Sequence, residues 1–415
     1  MQRVSTLFFD MNSFYASVAQ AEEPALMGRP VGVLTADAPN AACIAASIEA
    51  KQRGVKMGTR QDEARQLCPG IVFRPVKHDV CVRYHHAILA AVETVLPVHK
   101  VFSIDECSCL LKGSEQDLER AMAIGRALQG AVLRLHPALR CSVGLAPTRL
   151  LAKLAAGIEK PGGLHWLLPE VLPGKIAHLA LDDLPGVSWR MKARLEAAGI
   201  RGVPELYALD PKQARAIWGS VTGERFVREL RGETVVWPET KRGMIGHGQV
   251  LTGANKTAEG ARLVARRLLV KAAARLRREG FLAQSLQVSL RPEVGDRVGQ
   301  DGRIKATQDT LFLLETLDRY WDRLPPCRMR SVDVVLGGLV PIGQETGDLF
   351  DAPEARMPEA RAPEPRAGLC RAIDALNQRF GQDTVRFGAL PPTRVAYTGA
   401  KIAFGRIPVA EDFLE

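Results

Sequence analysis

Asp10 ends the apolar run Leu7-Phe8-Phe9 and is followed by Met11-Asn12-Ser13-Phe14-Tyr15, and much later Asp105 and Glu106 follow Phe102-Ser103-Ile104. Carboxylates set among such neighbours are desolvated and mutually repulsive unless a cation neutralises them. Magnesium suits them, being a hard ion that takes oxygen ligands and usually only one or two carboxylates beside water and substrate phosphates. Two such ions about 4 Å apart would serve three acids and a nucleoside triphosphate. Neighbouring strand residues point to opposite faces, so Asp105 and Glu106 can share a site only if the chain bulges or turns there. Taken singly, Asp10 also reads as the cap of a helix beginning near Asn12, and Asp105-Glu106 as a hairpin turn. Their occurrence in one chain with the features below favours the metal.

The elements that must position these acids follow from periodicity. Strands are predicted at residues 5–10, 31–34, 101–109 and 140–145, and helices at 80–95 and 116–135, with Ser114 and Asp117 spaced as a capping box for the second. This is an α/β core with residues 35–75 as a small insertion. Beyond Gly163 short helices flank the turn Leu184-Pro185-Gly186-Val187-Ser188, in the manner of a helix-hairpin-helix. From residue 241 the order is β-α-β-β-α-β, which is ferredoxin-like. There Leu286, Val288 and Leu290 alternate with Ser285, Gln287 and Ser289, so one sheet face packs on helices and the other stays polar and open. Residues 351–367 are rich in proline and charge and form a linker, after which Ile373, Leu376 and Phe380 recur at helical spacing.

A chain of 415 residues with 46% hydrophobic content needs several cores. Its net charge of +10 points to a polyanionic partner. Residues 241–340 hold 18 Lys and Arg against 10 Asp and Glu, so most of the positive excess sits in one segment. An open polar sheet with basic surroundings can lie on a sugar-phosphate backbone; the plainer reading is that Arg262, Arg266, Arg267, Arg275, Arg277 and Arg278 only keep a helix soluble. The eight cysteines lack zinc spacing and read as reduced, structural thiols. No apolar run approaches a membrane span, and a cytoplasmic protein is expected.

The blocks Asp10-Met11-Asn12-Ser13-Phe14-Tyr15 and Ser103-Ile104-Asp105-Glu106, with residues 142–155 (SVGLAPTRLLAKLA) and Lys160-Pro161-Gly162-Gly163, resemble the Y-family translesion DNA polymerases, and within them the UmuC-like branch. The resemblance spans essentially the whole chain. It implies α/β and α+β multidomain architecture: a palm (1–34 and 76–165), inserted fingers (35–75), a thumb (166–240), a ferredoxin-like little finger that holds DNA (241–342), a clamp peptide and linker (343–367), and a C-terminal module (368–415). It also implies that Asp10, Asp105, Glu106 and the Met11 carbonyl hold two magnesium ions. Nucleotide contacts fall on Asn12, Ser13, Phe14, Tyr15, Lys51 and Lys160, and Tyr15 takes the steric-gate position where a ribose 2′-hydroxyl would need space. The implied activity is low-fidelity, template-directed DNA synthesis past damage, with primer-template DNA and dNTP as partners and accessory subunits as possible ones. The alternative is a non-catalytic DNA- and clamp-binding accessory factor.

Two departures qualify the resemblance. Ile48 and Lys51 stand where the DinB-like pattern has Tyr and Arg, so the site offers a point charge rather than a planar fork, and weak nucleotide affinity is expected. The thumb hairpin reads Gly186-Val187-Ser188 where two glycines are usual, which puts its approach to a phosphate in doubt. Gln344, Leu349 and Phe350 resemble a sliding-clamp peptide, while the plain reading is that Leu349 and Phe350 cap a core.

Overall fold

The computed structural model describes residues 3–35, 41–238, 241–344, 365–381, 383–388 and 407. They form two compact units with the boundary between Trp237 and Pro238.

The first unit is built on β1 (Thr6–Met11), whose Leu7, Phe8 and Phe9 are buried because the strand is covered on both faces. Then come α1 (Phe14–Glu22), β2 (Val31–Leu34), β3 (Cys43–Ala46), α2 (Ile48–Lys51), α3 (Gln61–Leu67), β4 (Val72–Pro75) and α4 (His78–Glu93). Next are β5 (Val98–Val101), β6 (Glu106–Leu110), α5 (Leu118–Leu133), β7 (Cys141–Ala146), α6 (Arg149–Ile158) and β8 (Leu164–Trp166). The main sheet has the order β5-β6-β1-β7-β8, with β1 central and antiparallel to β6 and β7. Strand β2, expected in the palm, is instead the middle of a separate three-stranded sheet, β3-β2-β4. Its Val31 and Val33 need apolar cover on that small sheet, so the insertion begins at β2 rather than after it. Asp117, not Ser114, caps α5, its carboxylate accepting from the Arg120 amide at 3.2 Å.

Close contact between α6 and the sheet depends on Gly144, where a Cβ would overlap the Ala152 carbonyl oxygen and the Ala156 amide. Helices α7 (Trp189–Ala197), α8 (Val203–Ala208), α9 (Pro211–Trp218) and α10 (Val221–Leu230) complete this unit, packing on α6 through Val227, Leu230 and Phe226. In the hairpin before α7, Gly186 has φ 93°, which favours glycine, but Ser188 is extended and its hydroxyl accepts from the Met191 amide. The serine therefore occupies an N-terminal amide that a phosphate would otherwise meet.

The second unit contains β9 (Met244–Val250), α11 (Ala258–Arg278), β10 (Phe281–Pro292), β11 (Val298–Thr307), α12 (Thr310–Trp321), β12 (Met329–Gly337), β13 (Val340–Pro341) and α13 (Pro365–Phe380). The predicted β-α-β-β-α-β succession is present, in the order β11-β10-β12-β9 with all neighbours antiparallel. Each βαβ crossover is thus split by an intervening strand. Leu286, Val288 and Leu290 face the helices, whereas Gln287 and Arg291 are exposed on the other face, where Arg303 of β11 stands opposite Ser285. The arginines of α11 are neither bare nor turned to the sheet's open face. Arg262 and Arg266 pair with Asp318, Arg267 with Asp383, and Arg277 with Asp374. They fasten α11 to α12, to α13 and to the turn after α13, and charge offered to a polyanion from the sheet must come from residues such as Arg291, Arg303 and Arg330.

The expected C-terminal module is not separate. Helix α13 starts at Pro365, three residues before the predicted boundary, and Cys370, Ile373 and Phe387 enter the same core as α11, α12 and the sheet. Of the three residues at helical spacing only Ile373 is buried; Leu376 and Phe380 are exposed.

Candidate active site

Asp10 lies directly opposite Glu106 in the β1–β6 ladder. Side chains so paired have Cβ atoms about 5 Å apart, and like charges there repel. By strand alternation Asp10 shares a face with Phe8, the face that α6 covers. The strand predicted over residues 101–109 is broken: residues 102–105 turn between β5 and β6, with the Phe102 amide donating to the Glu106 carbonyl at 3.0 Å. That corner meets the geometric demand, because it frees Asp105 from strand alternation. The Met11 amide donates to the Asp105 carbonyl at 2.9 Å, so the end of β1, Met11 included, and the corner share one rim.

Each acid has its own partner there. Lys160 donates to Asp10 at 2.6 Å, Lys153 to both oxygens of Glu106 at 2.7 and 2.8 Å, and Ser103 to Asp105 at 2.5 Å. Among the described residues no three His, Cys, Asp or Glu side chains gather tightly enough to hold a metal ion. The carboxylates still share one field. Burial pushes Asp10 up to about 6, Lys160 opposes the shift, and Glu106 and Asp105 add to it. Burial also raises Asp105, against the Ser103 hydrogen bond that lowers it. Desolvation and then Lys160 lower the Lys51 ammonium, while Asp10 and Asp105 raise it, which brings the fingers lysine into the same field. By donor type, hard oxygens on one rim suit a divalent cation, although two of the carboxylates are held by ammonium groups and the three do not converge.

Asp10 is charged in the folded chain at a cost, since its folded value lies above that of an unfolded aspartate. The cost is fully present above both values, declines as pH falls below about 6 and is gone only below the unfolded value of 3.8. Asp10→Asn is therefore expected to stabilise the metal-free protein by about 1–3 kcal/mol near neutral pH. Thermal melts in chelator at about pH 7.5 and about pH 5 check it: the gain should shrink at the lower pH, and no gain at the higher one contradicts the assignment.

Two predicted nucleotide contacts have other work. Asn12 is buried, and its amide oxygen accepts from the Gly162 amide at 2.8 Å while its nitrogen donates to Ser142 at 3.1 Å. It anchors the loop carrying Lys160, because a buried amide must satisfy its polar atoms locally. Phe14 is a core aromatic at 2% exposure, so only its backbone faces the rim. Ser13 is left-handed, with φ 54°, and its carbonyl accepts from Ala16 and Ser17, starting α1 there. The amides of Phe14 and Tyr15 are first-turn donors with no carbonyl four residues back within the helix. Tyr15 packs edge-on against Phe14, their centroids 5.6 Å apart, and burial raises its hydroxyl, with Cys81 and Asp105 near enough to add. Gln344 is exposed; Leu349 and Phe350 lie outside the described residues.

Lys153 and His85 escaped the sequence reading. His85, buried on α4, bonds through Nδ1 to the Ile104 carbonyl at 2.7 Å and holds the corner from behind. A lysine four residues after Arg149 on a helix covering Phe8 was the available signal for Lys153. No local signal marks His85, whose partner is a carbonyl 19 residues away.

Comparison with known proteins places the chain in a family. The impB/mucB/samB family model matches residues 9–157, and the model of that family's C-terminal domain matches residues 242–349. A DNA polymerase IV of Moorella thermoacetica is 33% identical over 413 residues, covering 97% of this chain and 98% of the relative. One from Pelotomaculum thermopropionicum is 30% identical, covering 95% and 97%. Among solved structures, the Y-family DNA polymerase chimera Dbh-Dpo4(243-245)-Dbh superposes with a TM-score of 0.68 at 20% identity, covering 81% of this chain and 99% of that one. DinB from Sulfolobus solfataricus gives 0.53 at 21%, with the same coverage. These two show the fold. With paired acids at the end of the central strand, both family models in order and a relative one-third identical along its whole length, the chain belongs to the Y-family DNA polymerases, the impB/mucB/samB family.

Proposed function

We propose that the chain is a template-directed DNA polymerase that joins a dNTP to a primer 3′-hydroxyl and extends primers past damaged bases with low fidelity. One observation carries the reading: Asp10 opposite Glu106, with Asp105 in the adjoining corner and Lys51 and Lys160 in the same field. Asp10, Asp105 and Glu106, with the Met11 carbonyl, would hold two magnesium ions. Such ions, when bound, promote loss of the 3′-hydroxyl proton and neutralise triphosphate charge. The chain's own groups do the positioning. Lys160 and Lys51 meet phosphate oxygens, the amides of Phe14 and Tyr15 point at them from a helix start, and His85 keeps the Asp105 corner in place. The test is primer extension with magnesium on undamaged and damaged templates; absence of any extension by the purified chain would favour the accessory-factor alternative.

The Tyr15 ring at the start of α1 is the proposed sugar gate. Tyr15→Ala is expected to lower discrimination against ribonucleotides at least about tenfold, read as the ratio of kcat/KM for dNTP and rNTP. Unchanged discrimination refutes the gate.

The UmuC-like placement rests on Ile48, Lys51 and the C-terminal residues. The name DNA polymerase IV on relatives matched along nearly their full length supports the DinB-like side instead. Extension by the chain without accessory subunits would support that side too. A sliding clamp remains a proposed partner through Gln344, Leu349 and Phe350.

A further inference from the structure

The two lysines on the rim differ in how they are held. Lys160 stands in a loop and its side chain is 43% exposed, so it is free to turn toward a substrate. Lys153 projects from α6, which Gly144 brings down onto β7, and its ammonium also lies 5.4 Å from the Phe8 ring centroid. Phe8 stacks on Phe102 at 5.6 Å, and Phe102 in turn carries Arg149 at 5.1 Å and Lys100 at 5.6 Å. Aromatic faces attract cations, and a two-pronged bond to a carboxylate fixes direction as well as charge. Lys153 is a built-in cation at Glu106.

We infer that Lys153 is a positioning residue that serves as the resident counter-ion of Glu106 and holds back divalent-cation loading until a triphosphate arrives. The inference rests on Asp10, Asp105 and Glu106 being the metal ligands. The three carboxylates and the two ammonium groups bonded to them carry −1 even before Lys51, in the same field, is counted, too little to retain two divalent cations. A bound triphosphate supplies the missing negative charge. Removing Lys153 leaves the local charge at −2 and ends the competition for Glu106, so cations should bind before substrate does.

Manganese titration of the full chain without nucleotide, followed by electron paramagnetic resonance of the free ion, tests this in wild type, Lys153→Met, Lys153→Arg and Glu106→Gln. Lys153→Met should bind manganese at least about fivefold more tightly, Lys153→Arg should stay near wild type, and Glu106→Gln should bind more weakly. A second readout is the melting temperature. Lys153→Met should lose stability in chelator, where Glu106 faces Asp10 without a counter-ion, and regain it with manganese. Unchanged or weaker binding in Lys153→Met, with Glu106→Gln still weakened, overturns the counter-ion role and leaves the metal site standing. If Glu106→Gln binds as wild type does, the metal assignment falls and this inference with it.

Discussion

Asp105→Ala combined with Glu106→Ala is expected to reduce single-turnover primer extension at least about 10³-fold, equivalent to about 4 kcal/mol of lost transition-state stabilisation. The size follows from the kind of catalysis proposed. With no covalent chemistry for the protein to perform, rate comes from placing reactants and neutralising charge, so loss of two of three anionic ligands removes most of what the protein contributes. Folding should survive the change. The corner is held through backbone groups, the Ile104 carbonyl on His85 and the Asp105 carbonyl on the Met11 amide, and neither needs a carboxylate. Glu106→Gln alone should cost less, since an amide oxygen remains as a ligand. Extension that persists in the double variant at wild-type rate would place the chemistry elsewhere.

Asp374→Ala is expected to destabilise the second unit by about 3–5 kcal/mol, because it strands a buried guanidinium. Arg277 is 9% exposed; it donates to both Asp374 oxygens at 2.6 and 2.8 Å and to the Gln308 carbonyl at 2.8 Å. Removing its only carboxylate partner in that set leaves the charge without compensation, whereas Arg262→Ala, on the half-exposed face toward Asp318 and Asp322, should cost only about 0–1 kcal/mol. Urea unfolding followed by hydrogen exchange in α11 compares the two. Ending the chain at Gln344 should be worse than Asp374→Ala, because Cys370, Ile373 and Phe387 leave the core as well. If Asp374→Ala unfolds within about 0.5 kcal/mol of wild type, α13 is an appendage and not part of this unit.

Element types in both units were readable because they rest on local repetition. Alternation along Leu286, Val288 and Leu290 marked a one-sided strand, and the apolar run before Asp10 marked a buried one. The acids could be named from the chain alone for a related reason: ionisable groups beside Phe8 and Ile104 are too unfavourable to be there without purpose. Sequence could also require a bulge or turn at Asp105 and Glu106, and the structure turns the chain just there, over residues 102–105. Tertiary structure decided the rest, through contacts between residues distant in the chain. That β2 leaves the main sheet, that α11 arginines face acids on α12 and α13, and that α13 joins a core it follows by a long linker all depend on which surfaces meet. Asn12 looked like a ligand contact until Ser142 and Gly162 were seen beside it. Lys153 has its role only because β6 sets Glu106 within reach of its ammonium. Residue chemistry is written along the chain, but the partner that gives a buried polar group its role is supplied only by folding, since burial forbids water from filling that place.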